Sequence, residues 1–154
     1  MEDSKPDYRP VVGIALASLI LCGLFFPLLI TGLAQLILPY QANGQIVQLN
    51  GRPVGSVLIS QQFTSPLFFH GRNESDPTTA SASGVDPDIP LDQALAQVPR
   101  ISNATGIPED AIRSIVLQHV EGTLWIFGAP YVNVLRLNLA LIAAYPSVYN
   151  PIPS

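Results

Sequence analysis

The chain has 154 residues, a mean hydropathy of +0.35, seven Lys and Arg against eleven Asp and Glu, and a formal net charge of −4. That length suits one modest domain, and so few scattered cations exclude a nucleic-acid footprint, which needs them clustered. The single cysteine, Cys22, excludes an intrachain disulfide and a cysteine-based zinc site.

No charged side chain occurs between Arg9 and Arg52, so the positive hydropathy belongs to one segment. As a helix, Val11 to Leu38 would be roughly 40 Å long, more than a hydrocarbon core of about 30 Å. Tyr8 and Tyr40 bracket it at interfacial depth, and Pro27 near its middle predicts a bend. The apolar core of a signal peptide is usually about 7 to 15 residues, and no A-x-A-like site follows Leu38, so the segment reads as an uncleaved anchor. Lys5 and Arg9 precede it and only Arg52 follows closely. The positive-inside bias therefore predicts a cytoplasmic N-terminus over 1–10, a transmembrane helix over 11–38 and an extracytoplasmic domain over 39–154. Gly13, Ala17, Ser18 and Cys22 have the small-xxx-small spacing that permits close helix approach.

Beyond the span, two β-branched runs separated by Asn50-Gly51 predict a β-hairpin over about residues 45 to 63. Residues 64 to 90 carry four prolines with several glycines, serines and threonines, which is loop chemistry without either regular period. Leu91 to Ser102 has helical composition, with a kink or stop expected at Pro99. The next helix is predicted from Pro108 at its first position to a stop at Gly122. Ile112, Ile115, Val116 and His119 form its apolar stripe, and Glu109 pairs with Arg113. Thr123 to Phe127 reads as a strand, and the run after Val132 as a helix capped by Asn133, too short and polar to be a second span. The Pro-rich tail from Tyr145 is expected to be extended. The whole predicts an α+β protein: a single transmembrane helix, then a small mixed domain with a β-hairpin and about three helices.

No Walker loop, dinucleotide fingerprint, HExxH or G-x-S-x-G is present. Asp86, Asp88 and Asp92 could gather around a divalent cation, but a calcium loop supplies more carboxylates at fixed spacing, and turn and helix-start chemistry accounts for them better. His119 reads as a locally hydrogen-bonded side chain, and His70 follows Phe68-Phe69, which suit packing better than a substrate pocket. Two glycosylation sequons, at Asn73 and Asn103, are short patterns with a high chance rate. Arg72, Arg100 and Arg136 stand in weakly charged stretches, where an arginine fork serves either an interface or an internal pair such as Asp86 or Glu121.

Five segments together resemble the KdpC family, the C subunit of Kdp-type potassium-transporting P-type ATPases. They are GSVLISQQF (Gly55 to Phe63), FFHGR (Phe68 to Arg72), SASGVDPDI (Ser81 to Ile89), ALAQVPRI (Ala94 to Ile101) and VNVLRLNLAL (Val132 to Leu141), in the family's order behind an N-terminal span. The family usually has a longer segment where Asn73 to Ala80 stand here, and a His and a Ser in place of Asp88 and Pro90. The resemblance implies a non-catalytic accessory subunit, single-pass in a prokaryotic cytoplasmic membrane with its domain outside. It implies a potassium-conducting A subunit and an ATP-hydrolysing B subunit as partners, with the small F subunit as a further candidate. ATP, Mg2+ and K+ would be handled by those partners, and this chain would hold no cofactor, metal or catalytic residue. The motif residues expected to shape the loop and its partner surface are Gly55, Ser56, Phe63, Gly71, Arg72, Ser83, Gly84, Asp86, Gln97, Arg100, Asn133 and Asn138. The competing readings are a membrane-anchored hydrolase, using His70 or His119 with Asp86 or Asp88, and an anchored ligand-binding domain.

Overall fold

The computed structural model describes residues 8–72, 80–122 and 128–149, so the expected strand Thr123 to Phe127 lies outside the described residues. The chain divides into two compact units, Met1–Gly44 and Gln45–Ser154. In the first, α1 (Arg9–Ile20), a π-helical turn (Leu21–Phe25) and α2 (Phe26–Ile37) run as one helix of 29 residues, long and apolar enough to cross a membrane. The π-turn lies directly before Pro27, where a bend is expected: Phe26 N–H donates back to Leu21 O, one residue further than in an α-helix. A short α3 (Pro39–Ala42) follows, and the Asn43 side chain closes it by donating to Pro39 O at 2.7 Å and to Gln35 Oε1 at 3.1 Å.

The second unit opens with an antiparallel hairpin, β1 (Ile46–Leu49) and β2 (Arg52–Ser56), with a bulge between Val47 and Gln48. Asn50 (φ 53°) and Gly51 (φ 76°) are both left-handed, as a type I′ turn requires. The hairpin is shorter than the sequence suggests. Ser56 Oγ takes the Leu58 N–H and Asn133 Nδ2 takes the Val57 carbonyl, two groups that a longer ladder would use.

A second ribbon pairs β3 (Asp88–Pro90) with β4 (Tyr131–Asn133), setting Ile89 opposite Val132, both fully buried. Against it pack α4 (Leu91–Thr105) and α6 (Val134–Ala144), and α5 (Glu109–Gln118) packs on those two helices. The core is Phe69, Ile89, Ala94, Val98, Ile101, Ile112, Val116, Leu137 and Leu141, each without exposed surface. Burying each of these side chains other than that of Ala94 stabilises by about 1.5 to 3 kcal/mol.

Several expectations are corrected. Pro99 neither ends nor bounds α4, which continues to a left-handed Gly106 (φ 75°). Pro99 itself is exposed while Val98 and Ile101 beside it are wholly buried, so packing of the opposite face offsets the missing bond. Pro108 is the N-cap of α5 rather than its first residue, and the helix stops at Gln118, before Gly122. His119 is its C-cap and is partly buried, with its ring Nδ1 at 2.8 Å from Ile115 O, the local hydrogen bond expected of it. Gly122 (φ 93°) instead turns the chain at the bridge between Glu121 and Tyr131, where a Cβ would overlap the Tyr131 ring. The tail is not all extended: α7 (Pro146–Tyr149) inserts Tyr149, which is buried and stacks on Phe68 with ring centroids 5.3 Å apart. The Glu109–Arg113 pair forms at 3.8 Å, and Asn133 caps α6 by accepting from Arg136 N–H at 3.2 Å.

Candidate functional site

The irregular segment between the two ribbons, described over residues 57–72 and 80–87, leaves backbone groups that no ladder can satisfy. Side chains from α4, and from α6 with its cap, supply the missing partners. Asn138 of α6 clasps Phe69 on both sides, accepting its N–H at 2.7 Å and donating to its carbonyl at 3.0 Å. Gln97 of α4 does the same for His70, at 2.8 and 3.1 Å. Successive residues of an extended chain point their polar groups to opposite sides, so neighbouring loop residues are held from two different helices. Each amide side chain replaces a missing strand.

Arg100 lies one turn beyond Gln97 and fans out its guanidinium, donating to Pro66 O at 2.7 Å, Phe68 O at 2.8 Å and Gln97 Oε1 at 2.8 Å. Burial lowers its pKa, and the acceptors it meets are neutral oxygens, which the planar fork of arginine suits better than a lysine ammonium would. Asn133 joins three elements: its oxygen caps α6, and its nitrogen donates to Val57 O and to Asp88 Oδ1, both at 2.9 Å. Arg72 ties the loop to β3 through Asp88 O at 2.9 Å and pairs with Asp86 at 3.1 Å. Asp86 Oδ1 also accepts the Asp88 N–H at 3.0 Å. The Asp88 carboxyl is pushed above its ordinary pKa, mainly by burial, with Asp86 and Glu121 adding repulsion against the favourable Asn133 bond and Arg136 charge.

The remaining motif residues shape the backbone. Gly84 (φ 68°) is left-handed, and Ser83 Oγ accepts the Val85 N–H at 3.3 Å in the same exposed turn. Ser56 ends the hairpin, as described above. Beside Gly55 a Cβ would crowd the Gln61 side chain at 3.0 Å, and beside Gly71 it would crowd Ser60 Oγ at 3.1 Å. Phe63 is half-buried against Phe68, with centroids 5.7 Å apart. Tyr149 was missed by sequence reasoning. Its hydroxyl donates to Leu67 O at 3.0 Å, and burial lifts its pKa to about 12. Nothing in a Pro-rich tail marks such a contact.

The geometry does not assemble the pairs that a hydrolase would use. His70 Nε2 meets Ser65 O at 2.9 Å, His119 faces Ile115 O, Asp86 is taken by Arg72 and Asp88 by Asn133. Arg136 pairs with Glu121 at 2.7 Å. Among the described residues no group of three or more His, Cys, Asp or Glu is arranged to hold a metal ion. An apolar pocket of about 230 Å3 between the hairpin and α6, walled by Leu49, Val54, Phe63 and Leu139, has no titratable side chain in its lining.

Fold and site together define a helix long and apolar enough to cross a membrane, followed by a domain whose motif side chains fasten a loop to a helical scaffold. The profile of the KdpC family, described as K+-transporting ATPase, c chain, matches residues 8–78 and 73–143. Similar proteins named potassium-transporting ATPase KdpC subunit occur in several bacteria. That of Caldanaerobacter subterraneus is 32% identical, over 88% of this chain and 94% of the relative. That of Gemmatimonas aurantiaca is 36% identical, over 91% and 96%, and that of Nitratidesulfovibrio vulgaris 38%, over 86% and 91%. The chain belongs to the KdpC family, accessory subunits of the K+-transporting ATPase. The first of these alignments runs over 182 residues against 154 in the whole chain, so that relative carries residues absent here. The two matched stretches overlap at 73–78, within the segment Asn73 to Ala80 that is expected to be shortened.

Proposed function

We propose that this chain assembles and stabilises an ATP-driven potassium uptake pump without itself catalysing any step. Family membership is the observation that carries the proposal, and the engagement of the motif polar groups in holding the loop supports it. In this reading ATP, Mg2+ and K+ are handled by an ATP-hydrolysing B subunit and a potassium-conducting A subunit, with a small F subunit as a further neighbour. The helix Arg9–Ile37 tethers the chain to the cytoplasmic membrane with the N-terminus inside. The domain then docks on the outer side of the conducting subunit, through the surface of the fastened loop. An outward domain cannot touch cytoplasmic ATP, so any influence on nucleotide affinity runs through the stability of the complex.

The test is to grow the host under potassium limitation, solubilise its membranes in mild detergent and purify this chain by an affinity tag. The A and B subunits should co-purify in constant proportion, with potassium-stimulated ATPase activity that declines when the chain is depleted. Recovery of the tagged chain alone would overturn the proposal.

A further inference from the structure

The two strands of the first hairpin are guarded unequally. On β2, Arg52 carries a charge and Pro53 lacks a backbone donor. Val54 is an extra residue there, because the register steps from Gln48 opposite Pro53 to Val47 opposite Gly55. Charge, proline and bulge all keep a strand edge from pairing with another chain. The sequence of β1, IVQL, has neither charge nor proline, and the bulge is not on its side.

The direction of the β1 backbone follows from its partners. Leu49 and Arg52 close a two-residue turn as a hydrogen-bonded pair, so Gln48 and Pro53 form the next pair without hydrogen bonds, where the missing proline N–H costs nothing. At the other end Val57 N–H donates to Gln45 O at 3.3 Å. A trans peptide points its C=O and N–H in opposite directions, so the N–H groups and carbonyls of Ile46 and Gln48 all point away from β2. Among the described residues this sheet has no third strand, and none of these four groups has a hydrogen-bond partner. Ile46 and Gln48 are exposed, and Leu49 beside them walls the apolar pocket between the hairpin and α6.

We infer that β1 is a docking edge on which an extended segment of a membrane-embedded pump subunit pairs as a third strand, with an apolar side chain entering the pocket beside Leu49. The inference rests on the accessory-subunit reading above and adds to it one contact that holds the domain. Donors and acceptors in a row, two residues apart, are matched by another extended backbone, whereas lipid phosphates only accept. Neither β1 nor the pocket lining carries a charge, so the segment is uncharged where it lies against them. The long helix ends at Ile37 and β1 starts at Ile46, a connection short enough to favour segments that emerge from the same membrane. A second copy fits less well. Pairing β1 with β1 would rest on 4 residues a side, against roughly 20 to 30 in a stable interface, whereas a pump subunit is already held by the rest of the complex.

The test uses the full chain in its membrane complex, purified by its tag. Gln48→Pro removes one outward N–H and leaves the hairpin's own ladder intact, while Gln48→Lys keeps the backbone and puts a charge on the edge. Gln118→Lys, at an exposed position of α5, serves as control. Both edge variants should lower the fraction of pump subunits retained by roughly two- to tenfold, the range expected for one net hydrogen bond, and the control should match the parent. Because a proline can disturb the hairpin itself, Gln48→Lys decides where the two differ. Full retention by Gln48→Lys overturns this inference and leaves the functional reading standing. A photo-cross-linker placed at Ile46 should capture a connecting segment of a pump subunit, located by peptide mass spectrometry. Capture only of lipid, or only of a second copy of this chain, also overturns the inference. Recovery of no other subunit with the parent chain overturns both.

Discussion

Asn138 and Gln97 perform the same task in different surroundings, and the difference is measurable. Asn138 is buried, so Asn138→Ala strands both Phe69 groups away from water, whereas Gln97 and His70 are only half-buried. Unfolding of the full chain in detergent with urea should show a loss of about 2 to 5 kcal/mol for Asn138→Ala and about 1 to 2 kcal/mol for Gln97→Ala. Asp88 makes a separate prediction. Its folded pKa is raised by burial, so the native state holds its proton more tightly than the unfolded one. Its contribution is therefore most favourable in acid and is lost as pH rises from the ordinary aspartate value through the raised one. Asp88→Asn keeps an oxygen for Asn133 and removes the buried charge. Thermal melts across pH should show the variant more stable than the parent at neutral pH, with the advantage vanishing at the acid end. These roles were half legible. Asn133 announced its cap by standing just before an apolar run, while the partners of Asn138 and Gln97 lie 69 and 27 residues away and no local pattern encodes them.

At the scale of elements, local chemistry succeeded where it had no rival. The Asn50-Gly51 turn, the acidic start of α5 and the helix after Asn133 formed as their residues require. At Pro99 no stop occurs, because burial of Ala94, Val98 and Ile101 outweighs one absent hydrogen bond. It follows that α4 retains an unused reserve. Pro99→Ala restores a donor for the Leu95 carbonyl, and calorimetry or urea unfolding should show a gain of about 1 to 2 kcal/mol, reduced from the full proline penalty by the freer unfolded chain. A loss of stability would mean that the proline shapes the face carrying Gln97 and Arg100, in which case the loop contacts would weaken with it.

For the whole molecule, the long apolar helix was readable from length and composition alone. The domain needed contacts that span it, such as Tyr149 beneath Leu67 and Phe68. Those long reaches have a consequence in time. Phe69 leaves the ribosome 69 residues before Asn138, the side chain that clasps it. At roughly 5 to 20 residues per second, the interval is roughly 3 to 14 s, during which Phe68 and Phe69 have neither their helix nor their stacking partner. The nascent segment therefore passes through an aggregation-prone interval after the long apolar helix Arg9–Ile37 is already complete. Its survival there depends on how quickly synthesis reaches α6.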